Sequence, residues 1–501
     1  MRTMSRIARA RDIQPYKKVE DSRFQSIEKA RKIWDYLCKE YEETQVPLEF
    51  NFKENVREIL QEEYAVLKAH YIHPYPGKIF PYIPAFFLSI PQLCPENGKI
   101  LDPFSGSGTI LLESLTHPLF KRDAYGVEIN PLGRLISKVK TTPLVEGKID
   151  RRAKYVIDNL RYKSPSVANK CPNENISFWF PARSISRLSS LFAQISKLRN
   201  GDYKDFFFLC FSSIVRRVSL ADPFIPPPVV LNIKKYKDSK EKYKFLLDYR
   251  RVVQKADIKK LFNAAISQNK SKLLLIEKDV QSPCPKTKAS IIWDDAKSIK
   301  KGELGPKGRL IKSKNRRLNK NSIDLIMTSP PYLTAQKYIR THKLELQWLN
   351  MLSHDDLSVL QKNIIGAERV SHKRFSPDKI LGVPSIDQLV SWAALRSVDR
   401  AATIYCYFED MRFALMEMHR VLKDRGYCII VLGNNHVLGK FVETHNLLKD
   451  LALEIGFELR VILKDRIRGR GMITKRHNSG GLIKEEYVIV LQKGIQKRAQ
   501  I

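Results

Sequence analysis

The feature that most constrains the fold is an apolar segment that runs into a glycine-rich turn. Residues 99–102 (KILD) predict a short buried strand, residues 103–108 (PFSGSG) a tight turn, and Thr109 the start of a helix. A second apolar segment, AYGVE at residues 124–128, follows after the length of one helix. Together they predict a βαβ unit with parallel strands and a right-handed crossover.

Further strands are predicted only after a long interval. They lie at residues 289–295 and 322–328, and then at residues 427–432, 457–463 and 487–491. Residues 150–286 have a helical pattern instead, so we predict an α/β fold that carries a largely helical insert. The last two strands are predicted to form an antiparallel pair.

The charge of the chain indicates its partner. The 501 residues include 88 Lys and Arg against 53 Asp and Glu, which gives a net charge of +35. Nucleic acid is the expected partner, because each neutralised phosphate releases condensed counterions. A basic protein without such a partner is the alternative interpretation.

Cysteine usage and hydrophobicity exclude several classes of protein. The seven cysteines are widely spaced and form no CxxC pair, so we expect reduced thiols, a cytoplasmic location and no structural zinc. The most apolar run, residues 206–215, has about half the ~20 residues of a membrane span. We predict that it is a buried helix and that the chain has no membrane partner.

The glycine turn and an acidic residue after it suggest a nucleotide-like ligand. Glycines after a strand let a ligand approach the backbone at the positive end of a helix. The turn lacks the GK[ST] of a phosphate-binding P-loop. Glu128 ends the second strand, where a carboxylate can accept hydrogen bonds from ribose hydroxyls. A purely structural turn and a solvated acid are the alternatives.

The sharpest signal is TSPPY at residues 328–332, directly after the apolar IDLIM. Two adjacent prolines fix φ and remove two N–H groups, so carbonyls and the Ser329 hydroxyl are left as acceptors. Tyr332 adds an aromatic face. Acceptors for an amino group and a stacking ring are what an extruded base requires. The position at a strand end argues against a polyproline recognition motif.

These motifs resemble those of the amino-methyltransferase family of bacterial DNA methyltransferases, which modify cytosine N4 or adenine N6. The similar segments are HPYPGK at 73–78, DPFSGSGT at 102–109, AYGVEINP at 124–131, DDAK at 294–297 and SPPY at 329–332. The resemblance covers residues 70–140 and 288–493. It implies a Rossmann-like, seven-stranded sheet with a reversed last strand, which uses S-adenosylmethionine (AdoMet) and no metal.

The resemblance also implies roles for individual residues. Glu128 should bind the ribose of AdoMet, and Asp295 its adenine amino group, with Asp294 as the rival. The residues implied around the methionine end and carboxylate of AdoMet are Asp102, Phe104, Gly106, Gly108, Thr109, Tyr75 and Lys78. Those implied to bind the flipped base and carry the catalysis are Ser329, Pro330, Pro331 and Tyr332.

The target base and the partners follow from the same resemblance. The family has a serine first in the proline turn more often for cytosine N4, so cytosine N4 in double-stranded DNA is the expected target. Adenine N6 and RNA are alternatives, as is a non-enzymatic DNA-binding protein that retains the fold. A cognate restriction endonuclease is a further candidate partner.

We predict four parts in the chain. They are a basic helical extension (1–65), an AdoMet-binding first part (66–149), a helical insert that is a candidate for DNA recognition (150–286), and a catalytic second part (287–496). Residues 297–320 are predicted to be a basic loop that could contact phosphates. The insert follows the second strand, whereas the region that recognises the target sequence usually follows the third strand in this family. The sequence therefore does not identify the segment that reads the DNA.

Overall fold

A computed structural model describes residues 13–60, 69–162, 176–225, 227–280, 287–293, 295–304, 310–333, 338–367, 370–371, 374–466 and 484–495. Its strands, in chain order, are β1 Leu48–Glu49, β2 Lys99–Asp102, β3 Asp123–Val127, β4 Ala289–Trp293, β5 Lys300–Leu304, β6 Leu310–Arg317, β7 Ile323–Thr328, β8 Leu422–Gly433, β9 Asn435–Val437, β10 Lys440–Val442, β11 Phe457–Arg466 and β12 Glu485–Lys493.

The helices surround these strands. The α-helices are α1 Ile13–Thr44, α2 Phe52–Leu60, α3 Tyr82–Leu88, α4 Thr109–Thr116, α5 Pro131–Lys140, α6 Glu146–Asp158, α7 Ile176–Trp179, α8 Ala182–Ser196, α9 Asp202–Val215, α10 Lys240–Lys255, α11 Ile258–Val280, α12 Tyr338–Thr341, α13 Lys343–Trp348, α14 His354–Asn363, α15 Pro384–Ala394, α16 Val398–Val421 and α17 Thr444–Ile455. The 3-10 turns Arg216–Val218 and Ile233–Tyr236 lie between α9 and α10.

The central sheet has the strand order β4-β3-β2-β7-β8-β12-β11-β1. Strands β4, β3, β2, β7 and β8 are parallel, and β12 pairs antiparallel with both β8 and β11. The predicted α/β fold with a reversed strand β12 is therefore confirmed. Helix α17 ends at Gly456, whose φ of +108° turns the chain into β11.

The predicted number of seven strands is wrong by one, because β1 adds an eighth. This two-residue strand pairs in parallel with β11, and the backbone N–H of Phe50 donates to the carbonyl of Lys464 at 2.9 Å. Strand β11 would otherwise expose unpaired backbone groups at the sheet edge. Two residues are too few to show an alternating pattern, so nothing in the sequence indicated this strand.

The N-terminal helix α1 packs against the sheet. The Trp34 ring makes edge-to-face contacts with Phe87 at 6.3 Å and with Tyr427 on β8 at 6.0 Å. Its neighbours on the same helix face, Leu37 and Tyr41, are also buried. The described part of the N-terminal extension thus belongs to the main hydrophobic core.

The insert forms a second hydrophobic core. Phe207 and Phe211 of α9 are buried there with Phe262 of α11, against Leu135 of α5 and Trp348 of α13. The predicted buried helix at residues 206–215 is confirmed as part of α9. Among the helices that the structure describes, none is long and apolar enough to cross a membrane. The division of the chain into four parts stays a prediction.

The predicted basic loop at residues 297–320 is wrong in part, because most of it forms a β-hairpin. Strands β5 and β6 pair antiparallel, with Lys300 opposite Arg317. The N–H of Leu318 donates to the carbonyl of Ile299, which closes the base of the hairpin at 3.4 Å. Pairing of the two strands satisfies backbone N–H and C=O groups that would be hydrogen-bonded to water in a loop. The basic composition of this segment does not indicate that it forms strands.

Candidate active site

The glycine turn and the double-proline turn lie side by side. Strand β2 lies between β3 and β7, so the carboxyl ends of all three strands meet at one edge of the sheet. There the Thr328 hydroxyl donates to Oδ1 of Asp102 at 2.7 Å. Open α/β sheets bind their ligands at this edge.

One cleft is shared by both turns. It encloses about 750 Å³ of empty space, its open mouth included, which is within the range of small-molecule sites. The predicted site residues that line it are Tyr75, Phe104, Gly106, Glu128, Asp295, Ser329 and Pro331. The remaining lining residues are Gly77, Pro103, Val127, Ile129, Asn130, Ala296, Lys297, Ile339, Ile364 and Ile365.

The glycine turn requires glycine at two positions. Gly106 has φ of +51°, and a Cβ atom there would lie 3.4 Å from Cε1 of Tyr75. Gly108 has φ of +73°, and a Cβ atom there would lie 2.2 Å from the Ser137 hydroxyl oxygen. The left-handed conformation therefore disfavours other residues at both positions, and at Gly108 the close approach to Ser137 leaves no room for a side chain. Gly106 lines the cleft, whereas Gly108 and Thr109 lie behind it, at the start of α4.

Glu128 connects the two strand ends below the cleft. One carboxylate oxygen accepts from the N–H of Gly106 and the other from the N–H of Asn130, both at 2.7 Å. The residue is 8% exposed, and burial raises the pKa of its carboxyl group. Each carboxylate oxygen has two lone pairs, so Glu128 can still accept hydrogen bonds from a ligand in the cleft.

Asp102 lies below the cleft and is not one of its lining residues. Its Oδ1 accepts from the N–H of Phe104 at 3.1 Å as well as from Thr328. Burial raises the pKa of Asp102 to about 7. In this position Asp102 links the two turns to each other. Its expected contact with the methionine end of AdoMet stays a prediction.

Tyr75 and Lys78 are placed differently. Tyr75 lines the cleft, and its ring stacks on His342 at 4.9 Å between centroids. The Lys78 ammonium instead donates to the carbonyls of His70 and His73 at 2.7 and 2.9 Å. Burial and the nearby Lys272 lower the pKa of Lys78 to about 8. Lys78 therefore holds the backbone of this segment rather than lining the cleft.

The double-proline turn is held on both sides. Ser329 and Pro331 line the cleft, and the Pro331 carbonyl accepts from the Tyr407 hydroxyl at 2.9 Å. The Tyr332 hydroxyl donates to Oε1 of Glu486 at 3.1 Å. Pro330 and Tyr332 are not among the lining residues of this cleft. The reversed strand β12 thus helps to orient the turn.

Glu486 should make stability depend on pH. Burial raises its pKa from 4.5 to about 7, so the folded chain binds more protons than the unfolded chain between these values. The free energy of unfolding then falls as the pH rises from 4.5 to 7. We expect Glu486→Gln, which cannot ionise, to reduce this fall by on the order of 2 kcal/mol. Denaturant unfolding of the parent and the variant at several pH values measures the free energy of unfolding of each. The same dependence of this free energy on pH in both proteins would contradict the prediction.

Residues 295–297, where the adenine of AdoMet is expected to bind, also line the cleft. Oδ1 of Asp295 accepts from the N–H of Lys297 at 2.9 Å. The Lys297 ammonium lies 3.4 Å from Asp410, which also pairs with Arg374 at 2.8 Å. Asp294, the rival candidate, lies outside the described residues. Asp295 lies among the described residues and lines the cleft.

Sequence reasoning missed the apolar wall of the cleft. Ile339, Ile364 and Ile365 come from segments beyond the double-proline turn, and nothing in their pattern distinguishes them from core residues. Asn130 was noticeable only as the residue before Pro131. Its side chain accepts from Leu132 at 3.0 Å and caps α5. Among the residues that the structure describes, no cluster of three or more His, Cys, Asp or Glu is placed to hold a metal ion.

The strand order, the reversed strand and the cleft define a Rossmann-like α/β fold of the methyltransferase type. No family model matches the chain. The chain is similar to the Type II methyltransferase M.MvaI of Kocuria varians, with 24% identity over 404 residues, which are 76% of this chain and 80% of that protein. These similarities support an AdoMet-dependent methyltransferase.

Two further relatives match over shorter segments. The Type II methyltransferase M.MjaII of Methanocaldococcus jannaschii is 32% identical over 103 residues, 21% of this chain and 18% of that protein. M.AvaI of Nostoc sp. is 27% identical over 154 residues, 28% of this chain and 32% of that protein. A solved rRNA methyltransferase of Streptomyces viridochromogenes, AviRa, aligns with 86% of this chain and 90% of its own at 9% identity and a TM-score of 0.23, which is too low to support an argument.

Proposed function

We propose that this chain is a DNA methyltransferase that transfers the methyl group of AdoMet to the exocyclic amine of a flipped base, cytosine N4. The observation that supports this most is the shared cleft. Gly106 and Glu128 line one part of it, and Ser329 and Pro331 another. A donor and an acceptor bound at these two turns would lie next to each other, which direct transfer requires.

The residues of the cleft fit AdoMet. The lack of a side chain at Gly106 keeps the cleft open against Tyr75, and Glu128 offers acceptor lone pairs for ribose hydroxyls. Asp295, which also lines the cleft, can accept from the adenine amino group. When bound, AdoMet supplies an electrophilic methyl group.

The double-proline turn would activate the target amine. The lone pair of an exocyclic amine is delocalised into the base ring, which makes the amine a poor nucleophile. We assign Ser329 and the Pro330 carbonyl as acceptors of its two N–H bonds, while Tyr407 holds the Pro331 carbonyl in place. Such preorganised acceptors stabilise the charge that develops on the nitrogen. The proton that the amine loses passes to water, and no covalent bond to the protein forms.

Double-stranded DNA is the proposed substrate, and base flipping the means of access. The preference for cytosine follows from Ser329 as the first residue of the SPPY turn. A cognate restriction endonuclease is proposed as a partner because the relatives are Type II methyltransferases. A cytoplasmic location is part of the same proposal.

The test is incubation of the purified protein with labelled AdoMet and either duplex DNA or RNA, followed by digestion to nucleosides. We expect N4-methylcytosine from DNA. N6-methyladenine alone would overturn the base assignment, and label in RNA alone would overturn the substrate. DNA binding without any transfer would identify a binding protein that retains the fold.

A further inference from the structure

An aromatic and basic surface projects from the insert. It consists of Phe224, Tyr236, Lys242, Phe245 and Tyr249, and we call it the aromatic–basic surface. We propose that this surface binds the duplex DNA around the flipped base. The inference rests on the proposed function, and it names the part of the chain that supplies the contacts to the phosphates and grooves.

The surface is a built feature of the fold. The Phe224 ring contacts Tyr236 at 5.8 Å and Phe245 at 5.5 Å, and Phe245 stacks on Tyr249 at 6.4 Å. Lys242 lies over the Phe224 ring at 5.8 Å. Lys242, Phe245 and Tyr249 are three and four residues apart on α10, so they share one helix face.

Hydrogen bonds fasten the rings to the loop before α10. The Tyr236 hydroxyl donates to Asp222 at 2.7 Å. The Tyr249 hydroxyl donates to the carbonyls of Ser219 and Ala221, both at 3.3 Å. The rings are therefore held in fixed positions although their faces reach the solvent.

The exposure of the rings is costly without a partner. Phe224 is 43% exposed and Phe245 is 50% exposed, and Val252, two turns after Phe245 on α10, is 68% exposed. If this basic surface were exposed only to water, large apolar side chains on it would have no stabilising role. Exposed rings of this kind suit the sugars and the apolar edges of bases in a DNA groove.

The charge around the rings complements DNA. Residues 233–255 contain nine Lys and Arg against three Asp and Glu. All nine basic side chains are exposed. They are Lys234, Lys235, Lys237, Lys240, Lys242, Lys244, Arg250, Arg251 and Lys255. An acidic protein could meet this charge, but a DNA methyltransferase must also supply phosphate contacts that offset the cost of flipping a base.

The surface is joined to the helices that follow the double-proline turn. The N–H of Leu220 donates to the carbonyl of Trp179 at 2.6 Å, and the Lys343 ammonium lies 3.9 Å from the centre of the Trp179 ring. Helix α13, which contains Lys343, follows directly after α12, which contributes Ile339 to the cleft. The part of the insert that would bind DNA is thus connected to the wall of the cleft through Trp179 and the helices α13 and α12.

The experiment compares two double variants that remove the same charge. Lys242→Gln with Lys244→Gln removes Lys242 of the aromatic–basic surface and one exposed basic neighbour of it, whereas Lys53→Gln with Arg57→Gln changes two exposed residues of α2. Binding of a short fluorescent DNA duplex is measured at several salt concentrations. Since each phosphate contact adds about 0.9 to the slope of log K against log salt, we expect the first variant to lower the slope by about two and affinity about tenfold. The control should stay within about twofold of the parent.

A third variant separates the rings from the charges. Phe245→Ala should weaken binding about fivefold while leaving the salt slope unchanged, because it removes apolar contact and no phosphate contact. AdoMet binding, measured by calorimetry, should be the same in all variants, which shows that they are folded.

Three results would overturn the inference. Equal DNA affinity in the parent and the Lys242/Lys244 variant would show that another surface binds DNA, with the proposed function unaffected. Sedimentation that shows loss of a dimer in the surface variants, with DNA binding retained, would assign the surface to a second copy of the chain. A parent protein that neither binds nor methylates DNA would overturn the proposed function as well.

Discussion

Replacing Tyr332 with alanine should reduce methylation about 100-fold, because the proposed stacking of the flipped base on its ring would stabilise that base by about 1–3 kcal/mol and its hydroxyl bond to Glu486 positions the turn. AdoMet affinity should change little, since Tyr332 does not line the cleft that contains Gly106 and Glu128. Single-turnover methylation and calorimetry with AdoMet measure the two effects.

Tyr332→Phe is the matched control. It keeps the ring and removes the hydroxyl that donates to Glu486, so we expect a loss of less than about tenfold. Because Tyr332 is only 9% exposed, truncation to alanine should also lower stability by about 3–5 kcal/mol. The methylation and calorimetry assays should therefore be carried out at a temperature at which circular dichroism shows that the variant is folded. Unchanged turnover in Tyr332→Ala would refute the assignment of this residue.

Replacing Glu128 with alanine should weaken AdoMet binding about 100-fold. The change removes the acceptor of the Gly106 and Asn130 N–H groups and the proposed acceptor of the ribose hydroxyls. Hydrogen bonds to a charged group contribute about 1.5–3 kcal/mol each. Calorimetric titration with AdoMet gives the affinity directly.

The control for Glu128 lies on the same strand. Asp123 begins β3 at the opposite end and accepts from the N–H of Lys288 at 2.9 Å. Asp123→Asn should leave AdoMet affinity within about twofold of the parent, since the residue is a whole strand away from the cleft. If both variants bind AdoMet as the parent does, the cofactor lies elsewhere and the proposed pocket is wrong.

Much of the local architecture was predictable because its determinants are close together in the chain. The strand β2, the glycine turn and the helix α4 follow one another within residues 99–116, and each is indicated by its own residue types. The terminal pair β11 and β12 was predictable for the same reason. The apolar run within β12 and the glycine at 456, which ends α17 before β11, are local signals.

The contacts between distant segments were not predictable. Glu486 follows Tyr332 by 154 residues, and no local pattern shows that the two side chains meet. The same holds for the Tyr407 hydroxyl, which donates to the carbonyl of Pro331 from 76 residues away. Hydrogen-bond partners of this kind are chosen by the packing of whole elements.

The amino-acid sequence by itself determined the class of fold, seven of the eight strands of the central sheet and the two turns that carry the proposed chemistry, because these depend on residues adjacent in the chain. Only the tertiary structure decided that Asp102 and Thr328 meet and that β1 completes the sheet edge. The physical reason is that strand pairing and burial join residues far apart in sequence, and their energies depend on the complete fold.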